Sequence, residues 1–230
     1  MTIEVLPDAD AVARAAAAFI AAEAREAAAL RGKFTIAVSG GRTPWVMLRA
    51  LANETVPWEQ VHLFQVDERI APAGAPDRNL THLRESLGTP LPPLNLHPMP
   101  VEAADPVDAS SRYSRLMWDV VGSPPMFDLI HLGLGADGHT ASLVPADPVL
   151  EAADHDVAIT GVYQGRRRMT LTYPAINRAR RLLWVVTGAD KAPQLPRLRD
   201  GDPSIPAGRV ARDAAMVLAD PAAAAQLGTL

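Results

Sequence analysis

The sequence predicts an α/β fold with one mostly parallel sheet carrying helices on both faces, and three observations predict it. Short apolar runs alternate with stretches of helical periodicity along the chain. The runs, such as Phe34-Thr-Ile-Ala-Val38 and Leu182-Leu-Trp-Val-Val186, are continuous rather than alternating, as in strands covered on both sides. The residues that carry chemistry gather directly after these runs, where an open parallel sheet forms its ligand crevice. At 230 residues, the span 1–230 reads as one domain. A chain of that size buries roughly 70–75% of its unfolded surface and needs no staple.

Taken in order, Asp8 or Asp10 caps an Ala-rich helix with Val12, Ala16, Phe19 and Ile20 on one stripe, ending near Gly32. Phe34–Val38 is the first buried strand. Thr43 as N-cap, with Pro44 at the first helical position, predicts the next helix through Trp45, Leu48 and Leu51. Val61–Val66 is a strand that opens into Asp67-Glu68-Arg69, read as a loop, and a helix follows across Leu80, Leu83 and Leu87. Thr89 to Pro106 is Pro-rich and reads as mostly irregular. Asp105-Pro106 starts a helix closed by Gly122, and Phe127–Leu132 is the third strand. Val157–Val162 and Met169–Thr172 are further strand candidates, with a short helix begun by Pro174. Leu182–Val186 leads through Thr187-Gly188 to a helix holding Lys191. Ala215–Leu218 is the last strand, and Pro221 onward reads as a terminal helix.

Composition excludes several function classes. With no cysteine, the chain has no disulfide, thiolate nucleophile or Cys-ligated metal, and it fits a reducing cytoplasm. The N-terminus lacks a basic start followed by an apolar core, and no apolar run approaches the ~20 residues of a membrane span. A net charge of −4 argues against a nucleic-acid partner. The expected location is cytoplasmic, with no membrane or nucleic-acid partner.

Four motifs carry the candidate chemistry. Ser39-Gly40-Gly41-Arg42-Thr43 lies between a strand and a helix start, and two glycines there admit either a phosphate cradle or a ligand-free tight turn. It has neither the GKS/GKT end of a Walker loop nor the G-x-G-x-x-G spacing of a dinucleotide site. Gly133-Leu-Gly-Ala-Asp137-Gly-His139 bends sharply at a strand exit. It presents His139 as a proton acceptor with Asp137 to orient it, or else it is a Gly/Asp-rich loop with a surface histidine. Two such ligands are too few for a metal site, so no metal is expected. Asp67-Glu68-Arg69 is either a solvated turn or a contributor to the same crevice, with Arg69 for an anion and Asp67 for sugar hydroxyls. Arg166-Arg167-Arg168 and Lys191 are either exposed charges or phosphate ligands, guanidinium being suited to paired bonds with phosphate oxygens.

Together with Asp77-Arg-Asn79, Arg168-Met-Thr-Leu-Thr172 and Thr187-Gly-Ala-Asp-Lys191, these blocks occur in the order seen in the 6-phosphogluconolactonases, which the chain resembles over nearly its whole length. The resemblance implies a Rossmann-like fold shared with glucosamine-6-phosphate deaminases, and hydrolysis of 6-phospho-D-glucono-1,5-lactone in the oxidative pentose phosphate pathway. It implies a small sugar-phosphate lactone as partner and no metal or cofactor. It also implies His139 as general base with Asp137, and Gly40, Gly41, Arg42, Thr43, Arg168 and Lys191 around the phosphate. Deaminases resemble Asp-Gly-His-Ile-Ala-Phe-Asn-Glu-Pro after the strand, whereas this chain reads Ser142-Leu-Val-Pro145 and lacks that carboxylate. Arg69 stands where deaminases carry an aromatic residue, while Arg42 departs from the small hydroxyl residue frequent in the lactonase loop. The expected protein is a monomer or weak homo-oligomer. The alternatives are another sugar-phosphate isomerase or deaminase on the same fold, a non-catalytic phosphosugar sensor, and a metal-dependent lactonase.

Overall fold

The computed structural model describes residues 1–89, 92 and 95–228. Its main sheet has seven strands: β1 (Thr2–Val5), β2 (Phe34–Val38), β3 (Val61–Gln65), β5 (Leu96–His97), β6 (Leu129–Leu132), β9 (Arg181–Val186) and β10 (Ala215–Ala219). Their order is β1-β10-β9-β6-β2-β3-β5, and every neighbouring pair is parallel. The helices are α1 (Ala9–Arg31), α2 (Arg42–Leu51), α3 (Asn79–Leu87), α4 (Pro106–Val120), α5 (Tyr173–Asn177) and α6 (Leu195–Asp200).

Strand alternation divides the core between the two faces of this sheet. Phe34, Ile36 and Val38 of β2 pack with Val12, Ala16 and Ile20 of α1 and with Met47 and Leu48 of α2. Ala37 points the other way, into a cluster that contains Tyr113 of α4, Phe127, Trp184 of β9 and Leu195 of α6. Both sides of each central strand are therefore apolar, which is why those strands read as unbroken runs. The caps are local and strong. Asp8 accepts from the Ala11 N–H at 2.7 Å, and Gly32 closes α1 at φ 75°, a conformation suited to glycine. Asp105 accepts from Val107 and Asp108 at the start of α4, where Pro106 occupies the first helical position.

A second, three-stranded antiparallel sheet was not legible in the sequence. It consists of β4 (Asp67–Arg69), β8 (Arg168–Leu171) and β7 (Val157–Ile159), in that order. Asp67-Glu68-Arg69, predicted as a loop, is thus a strand, and 157–159 and 168–171 form a hairpin outside the parallel sheet. The connection between them is too short for a crossover helix. Val66 joins the two sheets: its N–H bonds Val38 O of β2 at 3.0 Å, and its carbonyl accepts from Leu171 N of β8 at 2.8 Å.

Other elements also depart from expectation. α2 begins at Arg42 with Gly41 as N-cap at φ 137°, so Thr43 is not the cap; its hydroxyl instead bonds the Thr187 hydroxyl at 2.6 Å. Lys191 lies in a 3₁₀ turn, Ala189–Lys191, ahead of α6 rather than within a helix. From Pro221 the chain forms turns, not a helix, because only a few residues precede Gly228 at φ 71° and nucleation is costly. β1 was missed because it pairs on one edge only and is largely exposed. Of the Pro-rich stretch after Thr89, residues 90, 91, 93 and 94 lie outside the described residues, as do 229 and 230 of the segment predicted as the terminal helix. Among the described residues no helix is long and apolar enough to cross a membrane.

Candidate active site

The loops that leave β2, β6 and β9 at their C-terminal ends, together with β4 and β8 of the small sheet, surround a cleft of about 790 Å³. Gly40, Gly41, Arg42, Thr43, Asp67, Arg69, His139, Arg168 and Lys191 all line it. Asp137 does not line it but stands behind His139.

The β6 exit loop aims the imidazole. Gly135 N–H bonds His139 O at 2.8 Å, Gly138 N–H bonds Gly135 O at 3.0 Å, and the Thr140 hydroxyl donates to Gly133 O. The two chain turns this forces are met by Gly138 at φ 84° and by bare Gly135, over which the ring lies. His139 Nδ1 is 2.6 Å from Asp137 Oδ1, which also accepts the His139 backbone N–H at 3.1 Å. With Nδ1 committed to the carboxylate, Nε2 is the ring nitrogen left for a ligand. Burial pushes the Asp137 carboxyl up. The His139 charge, the two hydrogen bonds from His139 and one from the Tyr163 phenol outweigh it and hold the group below the ordinary carboxylate value.

The small sheet supplies two of the cations, Arg69 from β4 and Arg168 from β8. Of Arg166, Arg167 and Arg168, only Arg168 lines the cleft; Arg166 pairs with Asp77 at 3.0 Å, and Arg167 donates to Thr160 O. Arg168 is 4% exposed, and its Nε has no protein partner among the described residues. Burial pulls its guanidinium below the usual value, with the nearby Asp67 carboxylate opposing. Asp67 is itself buried, accepting from the Ser142 hydroxyl at 2.6 Å and from Asn79 Nδ2 at 3.3 Å. Both carboxylate oxygens are therefore engaged within the wall, and the Asp67 charge lies near the Arg168 guanidinium. Arg69 donates to the Asn79 side-chain oxygen. Buried Glu68 fixes this corner: it accepts from the backbone N–H groups of Arg69, Asn79 and Leu80, capping α3, and meets Arg78 at 3.2 Å.

At the opposite wall α2 starts with no side-chain cap, so its first N–H groups and positive end face the cleft. The Gly188 turn across from it is held by Asp220, whose two oxygens accept the Gly188 N–H at 3.1 Å. Lys191 contacts Asp190 at 2.8 Å, an interaction that holds the Asp190 carboxyl below its ordinary value. Among the described residues no cluster of three His, Asp or Glu side chains is arranged to hold a metal ion.

The sequence profile of the family described as glucosamine-6-phosphate isomerases/6-phosphogluconolactonase matches residues 7–218. This chain belongs to that family. A 6-phosphogluconolactonase from Synechocystis is 43% identical over 172 residues, covering 72% of this chain and 71% of the relative. A 6-phosphogluconolactonase from Mycobacterium tuberculosis is 35% identical over 242 residues, covering 98% of each. The crystal structure of a 6-phosphogluconolactonase from Thermotoga maritima superposes with a TM-score of 0.84 at 26% identity, covering 95% of this chain and 98% of that one.

Within the family frame, sequence reasoning missed several residues that shape the cleft. Asn79 was visible only as part of a motif, yet it links Asp67 to Arg69. Ser142 and Thr187 were likewise visible only within motifs, and Asp220 gave no signal, because each acts through a partner far away in the chain. Tyr163 had none beyond its place next to the arginine run.

Proposed function

We propose that the chain hydrolyses 6-phospho-D-glucono-1,5-lactone to 6-phospho-D-gluconate as one catalytic domain, with His139 as general base. The observation that carries this reading is convergence: the imidazole backed by Asp137 faces the cleft that Arg168, Lys191 and the uncapped start of α2 also line. A phosphate carries about −1.5 to −2 charges at neutral pH, so several donors are chemically warranted. Hydrogen bonds to charged groups contribute about 1.5–3 kcal/mol each, enough for the phosphate to govern substrate choice. Gly40, Gly41, Arg42, Thr43, Arg168 and Lys191 form the phosphate grip, and Arg69 sits nearer the lactone and its hydroxyls.

In the reaction, His139 Nε2 takes a proton from water as its oxygen attacks the lactone carbonyl carbon. The carbonyl electron pair moves to oxygen and forms a tetrahedral oxyanion. Its collapse restores the carbonyl and breaks the bond to the ring oxygen, which receives the proton from the imidazolium. The product acid then ionises. Asp137 holds the ring through Nδ1 and stabilises its charged form. The family relatives named as 6-phosphogluconolactonases favour this substrate over an amino-sugar phosphate, as does the absence of a carboxylate in Ser142–Pro145.

The test is an assay on freshly generated lactone, corrected for spontaneous opening. Positioned proton transfer contributes about 10²–10⁴-fold, so His139→Ala is expected to lose that much in kcat. Arg168→Ala is expected to raise KM chiefly. A His139→Ala enzyme with near wild-type kcat rules the base assignment out, and release of ammonia from glucosamine 6-phosphate overturns the substrate assignment.

A further inference from the structure

Between the imidazole and the buried arginine stands a side chain from the turn that leads into the arginine's own strand. The β7–β8 hairpin turns at Gln164 (φ 51°) and Gly165 (φ 78°), with Tyr163 and Arg166 bonded to each other through both backbone pairs at 2.9 and 3.2 Å. Two consecutive left-handed residues give the tight turn that suits a twisted hairpin, so the main chain sets where Tyr163 points. Its phenol donates to Asp137 Oδ2 at 3.0 Å, the carboxylate oxygen that His139 does not use. Its ring meets the His139 ring edge-on, with centroids 5.6 Å apart and planes at 65°. The Arg168 guanidinium carbon lies 5.0 Å from the same ring's centroid, while Arg168 also donates to Gln164 Oε1 at 3.2 Å.

We infer that Tyr163 is a positioning residue: its hydroxyl fixes Asp137, and through it the His139 imidazole, while its ring seats the Arg168 guanidinium. This rests on His139 being the base and Arg168 an anion ligand. A carboxylate with one oxygen free can rotate about its bond to Cβ and swing the imidazole with it; a donor on the second oxygen removes that freedom. The aromatic face attracts the guanidinium and limits its rotamers. Burial, and then the Asp137 carboxylate that accepts its hydrogen bond, push the phenol above its ordinary value, which keeps it a donor across the pH range of catalysis. One side chain at a hairpin tip thereby sets the spacing between the group that reacts and the group that recognises.

The two functions separate by substitution. Tyr163→Phe keeps the ring and removes the hydroxyl. Its kcat is expected to fall about tenfold with KM within about twofold, the size of one charge-assisted hydrogen bond partly expressed in the transition state. The acid limb of its kcat/KM profile is expected to move to higher pH, because a carboxylate with one donor fewer stabilises the imidazolium more. Tyr163→Ala removes both contacts and is expected to raise KM as well, toward the value for Arg168→Ala. The tip is partly exposed, and Tm of the Phe variant is expected to match the wild type. If Tyr163→Phe matches the wild type in kcat and pH profile while His139→Ala is inactive, the positioning role is wrong and the base stands. If His139→Ala stays active, the base assignment fails and this inference fails with it.

Discussion

Substituting Gly135 with alanine perturbs the site at a single atom. A Cβ at 135 falls 2.1 Å from His139 Nδ1, 2.3 Å from its Cε1 and 2.7 Å from Asp137 Oδ1. Ordinary contact between such atoms is near 3.5 Å, so the ring must retreat by roughly 1 Å or more. The backbone at 135 is not in the left-handed region, and alanine adds no conformational strain of its own. The energy of the clash therefore falls first on the His139–Asp137 pair, which supplies the three atoms nearest the new methyl. A displacement of about 1 Å in a reacting group costs on the order of 10²-fold in rate. The expected result is a kcat about 10²-fold lower, with KM little changed because the cationic groups are untouched. Initial rates on freshly made lactone, with a thermal unfolding curve alongside, measure both. A folded Gly135→Ala enzyme with wild-type kcat refutes the claim that this ring position is the reactive one.

Gly40→Ala probes the other end of the cleft: its Cβ lies 2.1 Å from Asn79 Oδ1 and 3.0 Å from the Trp45 ring, and Asn79 would have to release Arg69. KM is expected to rise about tenfold or more, with kcat less affected, in steady-state assays. Stability is expected to fall as pH drops from about 6.5 toward 4. Burial lowers His131 to about 3, and burial followed by the neighbouring His62 lowers His97 to about 4, so the unfolded chain binds protons that the folded one refuses. The contribution is whole above the ordinary histidine value of 6.5 and is lost as pH falls through the folded values. Tm measured from pH 7 to 4 should show that slope, and His97→Gln should reduce it while leaving the part due to His131.

How much of this could be read from residues alone depended on the range of the causes. α1 and α4 were legible because Asp8, Gly32 and Asp105 act within one turn of the ends they cap. β2, β6 and β9 were legible because two-sided burial leaves an unbroken apolar run. β4 was not, since nothing in Asp67-Glu68-Arg69 announces a strand; only pairing with β8 makes it one. The cleft follows the same division. His139, Asp137 and the Gly40-Gly41 turn belong to local glycine bends that follow directly on strands. Tyr163, Asn79 and Ser142 matter through bonds to distant segments, and a linear pattern carries no trace of those. Thr43 misled because its helix-capping chemistry is sound, yet Gly41 could turn the chain two residues earlier.

Val66 gives the arrangement a durability that side chains alone would not. One amide from this residue is spent on each sheet, so the small sheet bearing Arg69 and Arg168 is riveted to the large one by peptide groups. Such bonds survive almost any change of residue type except proline. Side chains around the cleft can therefore change while Arg69 and Arg168 keep their place beside the main sheet, because the peptide groups, not the side chains, hold the two sheets in register.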